Sequence, residues 1–139
     1  MKVTAYSVEQ TRELGALFAS KAMPGDIYLL EGDLGTGKTE FVRGFTEKLD
    51  RQCTVRSPTF SIINVYATRA FPVYHFDFYR MCDPDELNET GYYEYINGDG
   101  VCLIEWGNLF PEVIPQNAVR IKITDVNENV RIIETAKVL

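Results

Sequence analysis

Gly32-Asp33-Leu34-Gly35-Thr36-Gly37-Lys38-Thr39 fits the pattern G-x-x-x-x-G-K-[ST], the signature of a phosphate-binding loop. Ahead of it, Asp26-Ile27-Tyr28-Leu29-Leu30 reads as a short buried strand. Behind it, Phe41, Val42, Phe45 and Leu49 fall on one face of a helix. Strand, glycine loop and helix in succession are what anion binding requires. Glycine tolerates the backbone angles that turn successive N–H groups inward around a phosphate, and the helix N-terminus adds partial positive charge. The eight-residue stretch therefore predicts a nucleoside triphosphate site in which Asp33, Leu34, Gly35, Thr36 and Gly37 wrap the phosphates. Lys38 reaches the β- and γ-phosphates, and the Thr39 hydroxyl ligates Mg²⁺. The fold expected around it is α/β: a three-layer P-loop NTPase-like domain with a mainly parallel sheet and a C-terminal antiparallel hairpin.

The chain has 139 residues, which suits a single domain with a real core. No apolar run approaches membrane-spanning length and the N-terminus lacks a signal-peptide core, so a cytoplasmic protein without membrane association is expected. Cys53, Cys82 and Cys102 match neither a metal spacing nor a disulfide framework and read as reduced, mostly buried thiols. The formal net charge is −6, the wrong sign for a domain that grips RNA by its phosphates. Little direct nucleic-acid contact is expected.

Upstream of the loop, Ser7 and Gln10 form a capping-box pattern, and Pro24-Gly25 ends the helix they open. Thr11 lies in its first turns. It is either an exposed helical threonine or, if the helix folds over the loop, a contact to the nucleotide base. Downstream, Ser57-Pro58-Thr59 puts two hydroxyls on a proline-stiffened segment, which is either a plain loop or a sensor of the γ-phosphate. Residues 60–66 and 71–79 read as strands. In the second, Tyr74, Phe76 and Phe78 share one face, and His75, Asp77 and Tyr79 the other. His75 reads as a hydrogen-bonded histidine that orients its neighbours. Asp77, ending the strand, reads as functional.

Asp83-Pro84 opens a short helix, and Thr90 to Ile96 is aromatic and helical, a packing element or a partner-binding face. Val101-Cys102-Leu103-Ile104-Glu105 is a fully apolar run closed by an acid, the pattern of a buried parallel strand with a carboxylate at its C-terminal tip. In open α/β sheets ligands sit at that tip, which makes Glu105 a Mg²⁺ ligand, direct or through water. Trp106 either packs in the core or walls the site. Residues 119–124 and 130–135 alternate apolar and polar, an antiparallel hairpin.

Four motifs in this order resemble the TsaE family: the glycine loop, Ser57-Pro58-Thr59-Phe60, Tyr74-His75-Phe76-Asp77-Phe78-Tyr79-Arg80, and Ile104-Glu105-Trp106. The resemblance runs from about Ser7 to Thr124, and the tail departs from it. It implies a small ATPase that serves the formation of threonylcarbamoyladenosine at position 37 of tRNA. ATP would lie in the loop, with Thr39 and Glu105 at Mg²⁺ and Asp77 needed for hydrolysis. Ser57-Pro58-Thr59 would be the switch segment and Thr11 a contact near the base. TsaD and TsaB would be the partners that handle the tRNA. A small-molecule kinase on the same core and a non-hydrolysing nucleotide switch are the alternatives. No arginine must act as a finger: Arg56 and Arg80 are candidates, and a surface salt bridge explains either as well.

Overall fold

A computed structural model of the chain describes residues 1–33, 35–55 and 62–137. Leu34, Ser57 and Thr59 lie outside the described residues, as do Arg56 and the first residues of the strand expected from Phe60. The elements run β1 (Lys2–Ala5), α1 (Val8–Lys21), β2 (Ile27–Glu31), α2 (Lys38–Leu49), β3 (Ile63–Ala67), β4 (Pro72–Asp77), α3 (Tyr92–Tyr95), β5 (Val101–Glu105), β6 (Val119–Asp125) and β7 (Arg131–Thr135).

The strands form one sheet in the order β1-β7-β6-β2-β5-β4-β3. Its middle is parallel: β2 lies between β5 and β6, and β4 flanks β5. Both edges are antiparallel, with β3 on β4 at one side and β6-β7-β1 at the other. The expectation of a mainly parallel sheet thus holds in the middle and is corrected at the edges. The reason is connection length. Residues 68–71 between β3 and β4 allow only a hairpin, whereas a parallel neighbour needs a crossover of a dozen residues or more. The C-terminal hairpin is present as expected. β1 was not anticipated, because four residues with one buried side chain carry no readable period; its pairing with β7 is what makes it a strand.

Alternation along β2 sends Tyr28 and Leu30 to one face of the sheet and Ile27 and Leu29 to the other. The first face is covered by α1 and α2, through Phe18, Phe41, Val42 and Phe45, all fully buried. Each such side chain removed from water contributes about 1.5–3 kcal/mol. The second face carries Phe76, Phe78 and Tyr92, packed edge to face. Short helical turns cover it rather than full helices: Pro84–Glu89, α3, Gly107–Leu109 and Pro111–Val113. The first of these is a 3₁₀ helix with a complete capping box between Asp83 and Glu86. Tyr92 is a core residue whose hydroxyl donates to the Val113 carbonyl at 2.7 Å, while Tyr93 beside it is exposed. Cysteine burial is corrected as well: Cys102 is buried, Cys53 only partly, and Cys82 is exposed, with all three thiols free.

The two long helices approach each other closely enough to require glycine. A Cβ on Gly44 would stand 2.0 Å from the Arg12 carbonyl oxygen, and one on Gly15 would stand 2.2 Å from that of Phe41. This crossing carries Thr11 and Arg12 towards the start of α2, where Arg12 Nε donates to Glu40 at 2.6 Å. Gly44→Ala gains about 1 kcal/mol of helix propensity, but it must push one backbone off the other. A net loss of about 1–3 kcal/mol is expected in urea unfolding. A variant as stable as the parent would show that the crossing tolerates a methyl group.

Candidate functional site

β2 delivers the chain into the glycine loop, and the loop ends where α2 begins. Gly37 caps α2 with φ 97°, a left-handed conformation that an L side chain resists. Gly32 is required for a different reason: a Cβ there would lie 2.5 Å from the Ile123 carbonyl on β6. Lys38 is the first residue of α2 and only 5% exposed. Its Nζ donates to the Gly32 carbonyl at 2.6 Å and sits 4.0 Å from the centre of the Trp106 ring. Burial pushes the Lys38 pKa down, and the charges of Glu105, Asp77 and Asp33 offset this in part.

The two acids come from neighbouring parallel strands. Asp77 ends β4 and Glu105 ends β5, and the two are register partners, so both carboxylates emerge at the same end of the sheet as the loop. Asp77 Oδ1 accepts from the Tyr79 N–H at 2.9 Å. Burial raises the Asp77 pKa, the Tyr79 N–H holds it down in part, and the nearby Glu105 raises it further. Glu105 is almost fully buried, and its Oε2 lies 2.5 Å from His75 Nε2. Gly35, Gly37, Lys38, Thr39, Asp77, Glu105 and Trp106 together line a cleft of 270 Å³.

Trp106 has φ 60°, the one non-glycine residue at positive φ among those described. Such a conformation costs roughly 1–3 kcal/mol. The turn falls at the end of β5 and lays the indole over Lys38, with the centre of the Tyr79 ring 4.9 Å from that of the indole. Trp106 therefore walls the site while also touching the aromatic core. Trp106 also lines a second cleft of 360 Å³, with Glu31, Asp33, Thr36, Asn108, Lys122 and Asp125 among others.

Thr11 is not an exposed helical threonine. It is 2% exposed, and its methyl group stands 3.8 Å from where a Cβ on Gly37 would lie, so α1 does fold against the loop. Sequence reasoning missed Arg131. From β7 its Nε donates to the Thr36 carbonyl at 2.9 Å and its Nη2 to that of Gly35 at 3.3 Å, while Nη1 donates to the Asn127 carbonyl. The guanidinium braces the loop from outside, across nearly a hundred residues of sequence. Only the placement of an arginine at the start of a strand hinted at it.

Several features fit a magnesium-bound nucleotide. The Thr36 hydroxyl oxygen is buried with no hydrogen-bond partner. A lysine, a threonine hydroxyl and two carboxylates share one cleft with the loop. That donor set suits Mg²⁺, which takes one or two carboxylates with substrate phosphates and water instead of an all-protein cage. Among the same residues, no helix is long and apolar enough to cross a membrane.

The family model described as "Threonylcarbamoyl adenosine biosynthesis protein TsaE" matches residues 5–133. It extends past the Ser7–Thr124 span of the four motifs and takes in Arg131, so the resemblance includes the tail as far as residue 133. The Bacillus subtilis protein named tRNA threonylcarbamoyladenosine biosynthesis protein TsaE is 44% identical over 131 residues, covering 94% of this chain and 82% of that one. Its Rickettsia felis namesake is 37% identical over 125 residues, covering 89% and 72%. The crystal structure of Bacillus subtilis YdiB superposes with a TM-score of 0.80 at 38% identity, covering 97% of this chain and 83% of its own.

Proposed function

The chain belongs to the TsaE family of tRNA threonylcarbamoyladenosine biosynthesis proteins, and from that premise we propose that it is a Mg²⁺-dependent ATPase of the P-loop NTPase kind. The observation that carries this reading is the convergence of Lys38, Thr39, Asp77 and Glu105 on the single cleft at the mouth of the glycine loop. Lys38 leaves the Gly32 carbonyl to bind β- and γ-phosphate oxygens, and the loop N–H groups and α2 N-terminus hold the rest of the chain of phosphates. Thr39 and Glu105 would hold Mg²⁺, which would supply positive charge against the charge that builds on the phosphates. Asp77 orients a water towards the γ-phosphorus and accepts its proton as the bond to the β-phosphate oxygen breaks. Trp106 shields Lys38 from bulk water, which strengthens its pull on the phosphates. Thr11 and Arg131 border the loop at Gly37 and at Gly35-Thr36 and shape the position of the nucleoside. Ser57 and Thr59, outside the described residues, are assigned the role of a segment that responds to hydrolysis.

Turnover alone is slow in this reading, and partners accelerate it. The acidic surface leaves tRNA to those partners, TsaD-like and TsaB-like subunits in the cytoplasm. Phosphate release is the test, measured alone and with both subunits and no other acceptor. A slow basal rate that rises with the subunits is expected. Release that demands a small-molecule acceptor would make the protein a kinase, and none under any condition would make it a switch. Glu105→Gln checks the metal. It should abolish most of the gain in ATP affinity that Mg²⁺ brings while leaving affinity in EDTA within about twofold; an equal loss in EDTA would assign Glu105 to folding.

A further inference from the structure

We propose that His75 is the positioning residue for Glu105, fixing which carboxylate oxygen faces the cleft and thereby setting Mg²⁺ affinity. The proposal rests on the reading that Glu105 holds the metal. His75 sits in the middle of β4, wholly buried, two residues before Asp77. Its Nε2 is 2.5 Å from Glu105 Oε2 and its Nδ1 is 3.3 Å from the hydroxyl of Tyr66 on β3. An ionised carboxylate only accepts, so Nε2–H donates to it, and in the neutral ring Nδ1 then accepts from the Tyr66 O–H. Both ring nitrogens are occupied, so the ring is clamped and cannot turn.

A glutamate at a strand tip has three rotatable side-chain bonds, and holding it in one rotamer costs entropy that a metal would otherwise have to supply. The His75 hydrogen bond settles that beforehand: Oε2 is taken, and Oε1 is the oxygen left for the cleft. It also compensates the burial of a carboxylate whose strand neighbour, Asp77, is another acid. An apolar side chain at position 75 would fill the space as well and do neither. The polar residue is there for Glu105. Partners of this kind behind a metal ligand typically change metal affinity 10–100-fold.

The experiment is calorimetric and needs no turnover. A non-hydrolysable ATP analogue is titrated into full-length protein with Mg²⁺ or with EDTA, for the parent, His75→Phe, which keeps the ring volume, and His75→Gln, whose amide nitrogen falls near the place of Nε2. His75→Phe is expected to lose 10–100-fold in Mg²⁺-dependent affinity, to match the parent in EDTA, and to be largely rescued in His75→Gln. Parental Mg²⁺ dependence in His75→Phe overturns the proposal, as does an equal loss in EDTA, which would mark His75 as packing, or a His75→Gln no better than His75→Phe. Should His75→Phe fail to fold, Tyr66→Phe carries the test, with a two- to tenfold loss expected and none overturning it. A parent whose affinity ignores Mg²⁺ would sink the metal reading and this proposal with it; Mg²⁺ dependence in the parent isolates failure to His75.

Discussion

Asp77→Asn is expected to bind ATP as the parent does and to release phosphate about 10²–10⁴-fold more slowly, the range for loss of a general base or water positioner. The substitution keeps shape, and the asparagine oxygen can still accept from the Tyr79 N–H. Stability separates this from a folding defect. The Asp77 carboxyl holds its proton more tightly in the folded chain than in the unfolded one, chiefly through burial. Its ionisation therefore works against folding: the folded state keeps the proton over the window from the ordinary carboxylate value upwards, and stability falls as pH rises through that window. A neutral asparagine removes the effect, so at pH 7 the variant should melt at or above the parental temperature while turning over far more slowly. Stability gained as activity is lost is the mark of a site residue. Parental turnover would pass the role to Glu105 or to a partner's residue, and a lowered melting temperature would make Asp77 structural.

Lys38→Ala is expected to weaken ATP binding by about 1.5–3 kcal/mol, roughly ten- to a hundredfold, the worth of a charge-assisted contact to phosphate. Here too the structure says how to read the result. Lys38 is held by one carbonyl and one aromatic face, and burial lowers its pKa. Truncation removes a buried charge that the fold tolerates at some cost, and it also leaves the Gly32 carbonyl without its donor. These two effects oppose, so the melting temperature should stay near the parental value. Titration with a fluorescent ATP analogue measures the loss. Unchanged affinity would make the loop a structural turn, and a collapse of stability would trace the loss to the loop's own packing.

Both predictions concern residues legible in the sequence, and the reason is that their signals are local. A glycine loop declares itself within eight positions because its backbone angles and charges act on one another at once. The run Val101 to Ile104 closed by Glu105 shows burial on both faces and an acid at the tip, and the Asp83–Glu86 cap is complete within four residues. Hairpin alternation at residues 119–135 is equally short-range. What the chain could not announce depends on which strands become neighbours. Arg131 reaches the loop only because β7 lies outside β6, and the bond from Arg131 to Thr36 spans 95 positions. His75 meets Glu105 only because β4 and β5 pair in parallel with Asp77 opposite Glu105; a shift of one residue would send the histidine to the other face. Trp106 could be read as wall or core because its place follows from a left-handed backbone turn that tertiary packing enforces against the residue's own preference. Periodicity and caps reported the elements and the glycine loop. Strand order and register, set by how the whole chain buries its apolar faces, decided which side chains stand behind it.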